Sequence, residues 1–465
     1  MCVLSAVAIL ATSGYAWAET HKVSDLATLE RLLSTDSNVG DTIEVQPGTY
    51  ALETAKIPVL RSGTPERPIV VRGVMKDGQR PVLDASKFNI QRGIFYIEEP
   101  THDVIIENFE LCNAAGGGRA GKEQPRNAAG VYILGSNITV RNCRVHHCEN
   151  GLFSTHESDF VLIENCDIGF NGREQGVGEP HRTHSFYFNS KHQMVKGCYV
   201  HDSTDGENFK SRGTNNIFAY NWVDEECAYS LGVDSGNEQN TLWLGNVVVK
   251  RTYEGINQGR LLGVGDGTGV ARGTLVALNN TFVTIFPRDL YLFTEQSSTC
   301  DVMLINNIFA GPGKTFLEKN GKGSVAGTHN WVAKLQEWQR MGPGATFDTG
   351  YVVSANPAVP ETFKDTIFGE NAGFADARAM DFHLVKGSPC IGAGVSAEEY
   401  AKAVKLVTQF SREGEQAKAS PEWLAVLEII ERSAPALEPK KKATGAEPRR
   451  NAGAIDIGAY GYAGK

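Results

Sequence analysis

The segment from Asp205 to Arg212, which reads Asp-Gly-Glu-Asn-Phe-Lys-Ser-Arg, combines carboxylates and cations over a short distance. If this segment is a β-strand, Lys210 and Arg212 project from the same face, about 6.6 Å apart. Asp205 and Glu207 lie where that strand begins. Two cations on one face can bind an anionic group, and a neutral amine among them can accept a proton. The segment is therefore the best candidate in the chain for acid–base chemistry on a molecule that carries a carboxylate.

Removal of a proton next to a carboxylate, as in β-elimination of a uronate sugar, has three chemical requirements. A base takes the proton, positive charge stabilises the enolate, and an acid protonates the leaving oxygen. Like charge from Arg212 lowers the pKa of the Lys210 amine, so Lys210 can be the base. A Ca²⁺ ion held by Asp205 and Glu207 would add positive charge and bind the carboxylate. In the alternative interpretation Arg212 is structural and pairs with Asp234 on the next strand.

A repeated pattern indicates the elements that position these residues. A short apolar run that ends at Asn or Gly recurs roughly every 23 to 34 residues. A corner between two strands needs a left-handed backbone, which Gly and Asn tolerate best. Repeats of this length built from strands predict an all-β solenoid, whose turns, or rungs, stack about 4.8 Å apart. The predicted corner residues are Asn108, Asn142, Asn165, Gly197, Asn221, Asn246, Asn280 and Asn307.

The residue after each predicted corner should face the interior and form a column through the solenoid. Several members of this column are cysteines, and a free Cys packs well as a small core residue. The chain has 9 cysteines; we favour reduced core thiols, although a bridge between neighbouring rungs also fits the spacing. The predicted column is Phe109, Cys143, Cys166, Cys198, Trp222, Val247, Thr281 and Ile308.

Counting residues back from each predicted corner locates the first strand of each rung. Aligning these strands gives the neighbours of Lys210. With the apolar residues facing inward, alternation places three columns on the outer face. They are Tyr187, Lys210 and Gly232; Asn189, Arg212 and Asp234; and Ser185, Asn208 and Ser230. The predicted catalytic residues are Lys210, Arg212, His184, Tyr187 and His201. The predicted substrate-binding residues are Asn189, Asn208, Asp234 and Arg182, and the predicted metal ligands are Asp205 and Glu207.

Charge and the N-terminal sequence restrict the class of protein. The chain has 465 residues and a formal net charge of -9, which argues against a general nucleic-acid-binding protein. The apolar stretch from Val3 to Ala11 and the sequence Ala16-Trp17-Ala18 predict a signal peptide of residues 1–18, cleaved after Ala18. A buried N-terminal strand is the alternative. No later run is long enough to span a membrane, so we expect a secreted or periplasmic monomer.

The sequence predicts one elongated solenoid domain over residues 19–395, with additions at both ends. Residues 25–33 predict a short amphipathic helix that caps the N-terminal end of the core. Apolar spacing predicts helices from Ala397 to Gln409 and from Pro421 to Arg432, within a helical excursion of residues 396–433. Residues 434–450 are rich in Pro and Lys/Arg and are expected to be a disordered linker. Residues 451–465 are expected to form a closing strand.

The opening from Gly40 to Tyr50, the Asn corners and the ending from Asp456 to Ala459 resemble the right-handed parallel β-helix proteins. This group contains pectate lyases, alginate lyases and chondroitinase B. The resemblance covers nearly the whole mature chain, and it implies the right-handed parallel β-helix as the fold. It also implies an exported polysaccharide lyase that acts on an acidic glycan.

The resemblance extends to the candidate strand. Alginate lyases and chondroitinase B have a similar strand, in which acids precede Lys-Ser. The likeness implies Lys210 as the base and Asp205 and Glu207 as calcium ligands. The chain departs from that group on the following rung, where the group carries an Arg and this sequence has Gly232 and Asp234.

Two other classes of function fit the same sequence. A β-helix glycoside hydrolase needs two carboxylates on either side of the scissile bond, and Asp202, Asp205 and Asp234 are candidates. A noncatalytic glycan-binding or surface protein needs neither a base nor an acid. The products distinguish the three, because a lyase forms an unsaturated sugar, a hydrolase forms only a reducing end, and a binding protein forms neither.

Overall fold

The computed structural model consists mainly of three long parallel sheets wound around one core. It describes residues 17–90, 92–116, 127–172, 183–225, 229–233, 239–251, 260–265, 271–284, 290–294, 298–311, 315–334, 340–341, 347–348, 361–409, 419–450 and 454–462. The sheets, here called A, B and C, have 13, 12 and 10 strands. Each complete rung runs through sheet C, then sheet A, then sheet B, and a loop returns the chain to sheet C. This topology is the predicted right-handed parallel β-helix.

The strands of each sheet follow the chain order from one rung to the next. Sheet A contains Thr20–Val23, Thr42–Val45, Ile69–Gly73, His102–Glu107, Ser136–Arg141, Asp159–Glu164, His192–Lys196, Asn215–Ala219, Asn240–Leu244, Thr274–Leu278, Asp301–Ile305, Val325–Thr328 and Phe363–Lys364. Sheet B contains Thr49–Ala51, Val82–Asp84, Glu110–Cys112, Arg144–His146, Asp167–Gly169, Tyr199–His201, Trp222–Glu225, Val247–Lys250, Thr281–Thr284, Ile308–Ala310, Trp331–Ala333 and Ile367–Gly369. Sheet C contains Ile57–Val59, Gly93–Ile97, Ala129–Ile133, Asn150–Ser154, Phe186–Phe188, Glu207–Ser211, Tyr229–Val233, Arg260–Val264, Leu290–Thr294 and Thr315–Lys319.

The corner between sheets A and B differs from its predicted position over the second half of the solenoid. The residues with positive φ at this corner are Asn108, Asn142, Asn165, Gly197, Tyr220, Gly245, Asn279 and Asn306. From Tyr220 onward the corner lies one residue earlier than predicted. The predicted inward column is therefore correct as far as Cys198 and wrong from Trp222 on, because the inward residues there are Asn221, Asn246, Asn280 and Asn307.

These inward asparagines form a ladder of hydrogen bonds along the core. The side-chain amide of each donates to Oδ1 of the next, at 2.9 Å from Asn221 to Asn246, 2.9 Å from Asn246 to Asn280 and 3.0 Å from Asn280 to Asn307. A further bond of 3.1 Å joins Asn307 to Asn330. Each amide also donates to a backbone carbonyl of sheet A. Buried amides are tolerated here because their donors and acceptors are paired.

The residues predicted to continue the column instead face outward, beneath the C-terminal segment. Trp222, Val247 and Ile308 pack in one buried cluster with Phe382 and Tyr460. Residues 454–462 thus cover the outer face of sheet B, and their only strand-like pairing among the described residues is a bridge between Leu384 and Tyr462. The expectation of a closing strand in residues 451–465 is therefore wrong for the described part of that segment.

The predicted helices are present: one covers the N-terminal end of the solenoid, and two cover the outside of sheet A, a position that the sequence did not predict. Leu26–Arg31 is an α-helix capped by Asp25, and it continues as a π-helical turn over Leu32–Asp36. This pair of turns places Leu29 and Leu33 in the N-terminal end of the core. Ala397–Thr408 and Pro421–Ile430 begin at serine caps and pack their apolar faces on the outside of sheet A. Among the described residues no helix is long and apolar enough to span a membrane.

The segment predicted to be a disordered linker contains an ordered hairpin instead. Leu437–Pro439 pairs antiparallel with Ala446–Pro448. Tertiary contacts fix it: Lys442 lies 3.4 Å from Asp224, and the Gly445 N–H donates to the Gly197 carbonyl at 2.7 Å. Two further short pairs are Arg340–Met341 with Phe347–Asp348, and Phe374–Asp376 with Asp381–Leu384.

The core cysteines are thiols, as the sequence favours. Cys112, Cys143, Cys148, Cys166, Cys198, Cys300 and Cys390 are free. Burial raises the pKa of the Cys143 and Cys166 thiols well above its usual range, so they stay protonated. Cys227 and most of the predicted signal peptide lie outside the described residues.

Candidate functional site

Lys210 lies in the Glu207–Ser211 strand of sheet C, in the register that the sequence predicts. Lys210 pairs with Tyr187 on one side and with Gly232 on the other. Phe209, the residue before it, faces inward and is fully buried against Phe186. Because side chains alternate along a strand, Lys210 and Tyr187 share the outer face.

Two cations lie near the Tyr187 ring. The Lys210 Nζ is 6.0 Å from the ring centroid, and the Arg212 Cζ is 5.6 Å from it. The cations and the ring therefore line one surface, as the alternation argument expects. The Lys210 side chain is largely buried, with 8% of the residue exposed, so charge on its amine is only partly screened by water.

Beyond Lys210 the same column contains no side chain for two rungs. Gly232 pairs with Gly263 on the next strand of sheet C. At about 4.8 Å per rung, these glycines leave roughly 10 Å of strand surface beside Lys210 without a projecting group. Gly232 is a departure from related strands that is visible in the sequence, whereas the place of Gly263 beside it follows only from the strand register.

His184 is held against the start of this strand by a backbone hydrogen bond. The Glu207 N–H donates to His184 Nδ1 at 2.9 Å, which places the proton of the neutral ring on Nε2. The ring centroid lies 5.0 Å from that of Tyr187. Gly206 has φ +57, and a Cβ there would approach His184 Nδ1 to 2.6 Å, so glycine permits this contact. The structure thus brings His184 together with Tyr187 and the Lys210 strand.

The two predicted metal ligands have protein partners. The Asp205 Oδ2 accepts hydrogen bonds from the Thr183 hydroxyl at 2.7 Å and from the Thr183 N–H at 3.3 Å. The Glu207 Oε1 lies 3.7 Å from the Lys210 Nζ. Calcium takes six to eight oxygen ligands, and among the described residues neither carboxylate belongs to a group of three His, Cys, Asp or Glu ligands. These residues alone do not fit a calcium cage, and the calcium site stays a prediction.

The predicted substrate-binding residues have different surroundings. Asn208 is fully buried, and its Oδ1 accepts hydrogen bonds from the Ser203 and Ser185 hydroxyls. Its predicted place on an exposed outer face is therefore wrong, because the side chain is enclosed with these two hydroxyl groups. Asn189 is partly exposed, and its Nδ2 donates to the Ser154 carbonyl at 2.9 Å. Arg182 and Asp234 lie outside the described residues.

His201 belongs to a different face, so its predicted place beside Lys210 is wrong. It ends the Tyr199–His201 strand of sheet B, where Nε2 lies 2.8 Å from Asp167 and Nδ1 lies 2.6 Å from Asp202. Burial opposes charge on the ring, but the hydrogen bonds to these carboxylates raise the pKa of His201 to about 9. His201 is thus an ion-paired residue of sheet B.

Comparison with known proteins gives likenesses of fold at low sequence identity. No protein-family model matches the chain, and no curated protein matches it. A crystal structure of pectate lyase Pel9A is 14% identical over 83% of this chain and 94% of that chain, with a TM-score of 0.49. An alginate lyase from Paenibacillus sp. str. FPU-7 is 13% identical over 67% of this chain and 99% of its own, with a TM-score of 0.41.

A hydrolase is among the similar structures as well. The catalytic domain of a GH87 α-1,3-glucanase is 12% identical over 80% of this chain and 68% of that chain, with a TM-score of 0.41. Likenesses at this level concern the fold and do not identify a reaction. The chain is a right-handed parallel β-helix protein.

Proposed function

We propose that the protein is a polysaccharide lyase that cleaves an acidic, uronate-containing glycan by β-elimination. The observation that carries the proposal is the placement of the Lys210 Nζ and the Arg212 Cζ at 6.0 Å and 5.6 Å from the centroid of the Tyr187 ring, on the outer face of sheet C. Gly232 and Gly263, which adjoin this group in the strand register, place no side chain of their own beside Lys210. A base, a carboxylate-binding cation and a hydroxyl group therefore surround one position.

Each side chain has a role in the proposed reaction. Arg212 binds the uronate carboxylate through two parallel hydrogen bonds. The Lys210 amine takes the proton from C5, and the electron pair enters an enolate that the two cations stabilise. The C4–O bond then breaks as the C4=C5 double bond forms, and Tyr187 gives its hydroxyl proton to the leaving oxygen. His184 is a positioning residue that packs against Tyr187.

The positions of the acids favour elimination over hydrolysis. A hydrolase needs two carboxylates that face one bond. Asp202 interacts with His201 on sheet B, whereas Asp205 is buried against Thr183 at the entrance to sheet C. Of the three aspartates that could serve a hydrolase, only Asp234 lies outside the described residues. The two others therefore do not form an acid–base pair at Lys210.

The proposal is tested by the products formed from a panel of acidic polysaccharides. Polygalacturonate, alginate and chondroitin sulfate would be incubated with the full chain, and absorbance in the near ultraviolet would be followed. Rising absorbance together with new reducing ends supports a lyase. Reducing ends without absorbance would establish a hydrolase, and binding of a polysaccharide without either product would establish a glycan-binding protein.

The same assay tests the calcium prediction. In the proposed mechanism Lys210 and Arg212 supply the positive charge, and no step requires calcium. If Asp205 and Glu207 contribute to a calcium site, a chelator abolishes cleavage and added Ca²⁺ restores it. Activity that is indifferent to the chelator would remove calcium from the proposal.

Export is part of the proposal, because polysaccharides of this class lie outside the cytoplasm. It rests on the predicted signal peptide of residues 1–18. Expression in a bacterial host, followed by mass measurement of the protein in the periplasm or medium, tests it. A mature chain that begins at Glu19 is expected, and an uncleaved chain that stays in the cytoplasm would contradict it.

A further inference from the structure

A group of three ligand-type side chains lies on the C-terminal segment, in an arrangement independent of the proposed lyase site. His383, Glu438 and Glu447 each offer one atom, and these atoms lie within 4.8 Å of one another. We propose that they bind a divalent transition metal ion, with zinc as the best fit. One imidazole, two carboxylates and a water molecule match the ligands and the coordination number that zinc takes in proteins.

The orientation of His383 is the first argument. Its Nδ1 lies 2.6 Å from Asp381 Oδ1, which leaves Nε2 toward Glu438. A carboxylate that accepts the other ring N–H is the usual support of a metal-binding histidine. The Nε2 to Glu438 Oε1 distance is 3.5 Å. Two ligands about 2.1 Å from a tetrahedral zinc ion are about 3.4 Å apart, so this spacing already fits.

The pairing of the two glutamates is the second argument. Glu438 and Glu447 lie directly opposite each other in the antiparallel hairpin. Like charges at such a position destabilise a hairpin, and Glu438 is only 7% exposed. Within the described part of the chain, no lysine or arginine lies within ion-pair distance of either carboxylate. His383 is the ion-pair partner of Glu438, and the buried Arg449 interacts with the Glu438 charge from farther away. A bound cation would offset this repulsion.

The location indicates a structural role for the ion. His383 belongs to the Asp381–Leu384 strand, whereas the two glutamates belong to the C-terminal hairpin. Glu438 also accepts a hydrogen bond of 3.3 Å from the Gly461 N–H through its other oxygen. The ion would therefore join the strand to the hairpin, and the hydrogen bond from Gly461 to Glu438 connects a third stretch to them. It would hold the C-terminal segment against the outer face of sheet B, where that segment covers Trp222 and the residues packed with it.

The test is zinc binding by the full chain after removal of metal by a chelator. Wild-type protein dialysed against zinc should retain one equivalent and unfold at a higher temperature, and cobalt in its place should give the intense visible absorption of a four-coordinate site. Glu447→Gln should weaken zinc binding by at least about tenfold. Because Glu447 is exposed, this variant should fold normally.

Two further variants make the result decisive. Asp381→Asn should weaken binding by about 10- to 100-fold, because Asp381 orients the imidazole. His156→Ala is the matched control, since His156 is exposed and pairs only with Glu157 in the described residues; it should bind zinc like the wild type. Absence of a retained zinc ion, or equal retention by Glu447→Gln and the wild type, would overturn the proposal. Equal affinity for Mg²⁺ would overturn the assignment to a transition metal.

Discussion

The outer faces of sheets B and C carry charged residues of similar type in different surroundings. On sheet B, His201 is held between two carboxylates, and Arg251 and Lys442 both pair with the buried Asp224. On sheet C, Lys210 and Arg212 share the neighbourhood of an aromatic ring, and Lys210 lies 3.7 Å from one glutamate.

Charged side chains therefore have two different roles in this fold, one on sheet B and one on sheet C. On sheet B the cations lie against close carboxylates of neighbouring rungs, and the network holds these rungs together. Where two cations adjoin an aromatic ring and a bare strand surface, the face can receive a carboxylate from another molecule. Variants on the two faces should therefore change different quantities: turnover on sheet C and stability on sheet B.

Lys210→Ala should have the largest effect and should change turnover alone. General-base catalysis typically contributes ~10²- to 10⁴-fold, so turnover should fall by at least that order while substrate affinity changes little. Cleavage rates at saturating and limiting substrate measure the two quantities. Lys191→Ala is the matched control, because Lys191 is an exposed lysine at the nearby corner of the rung. Near-normal turnover in folded Lys210→Ala would rule out Lys210 as the base.

His201→Gln should change stability as a function of pH. Burial lowers the pKa of His201, but hydrogen bonds to Asp167 and Asp202 raise it to about 9, above an unfolded value of about 6.5. The charged ring therefore stabilises the fold fully below about pH 6.5, and this contribution, at most about 3 kcal/mol, is lost as the pH rises through about 9. Urea unfolding at pH 6 and pH 9 should show a larger loss for the wild type than for the variant. The sheet comparison fails if His201→Gln abolishes cleavage in a stable protein.

Arg212→Lys should reduce kcat/KM by about tenfold or more. The substitution keeps the positive charge, but an ammonium group cannot copy the bidentate grip of a guanidinium on a carboxylate. The loss should therefore appear in cleavage of uronate polymers. A polymer whose carboxylates have been reduced to alcohols cannot undergo β-elimination, but the variant and the wild type should bind it equally. Wild-type kinetics in Arg212→Lys would show that Arg212 does not bind the substrate carboxylate.

Asn189→Ala should have the smallest effect, below about threefold in KM. The Asn189 side chain was predicted to bind substrate, but its amide donates to the Ser154 carbonyl of the neighbouring rung. A group already engaged in this way gains little by contacting a sugar. Initial rates over a range of substrate concentrations measure the change, and a loss comparable with that of Arg212→Lys would return Asn189 to the substrate-binding surface.

The sequence predicted sheet C well because its pattern there has one solution. Phe186 and Phe209 face inward, and their alternation places Tyr187 and Lys210 on the outer face. The corner between sheets A and B was harder to predict. An Asn that follows an apolar run can be the corner residue itself or the inward residue after it. Asn142 is itself the corner residue, whereas Asn221 follows a corner at Tyr220, whose φ of 57 no sequence rule would favour.

The remaining errors arise where tertiary contacts override local composition. Residues 434–450 have the composition of a linker, but Lys442 pairs with Asp224 and the buried Arg449 donates to the carbonyls of Asp456 and Tyr460. Asn208 follows a strand pattern, yet its hydroxyl partner Ser203 lies in the preceding loop. Contacts of this kind join residues that the sequence pattern treats separately.

The asparagine ladder bears on how the chain can change in length. Each amide presents the same donor and the same acceptor to the rungs on either side, from Asn221 to Asn330. Duplication or deletion of one whole repeat in that stretch would let the ladder rejoin with its hydrogen bonds intact. The stretch before it is different, because at Cys198 thiols replace amides and the chain of strong donors ends. In the stretch that contains the asparagine ladder, the length of the solenoid is therefore set by the number of repeats and not by any single residue.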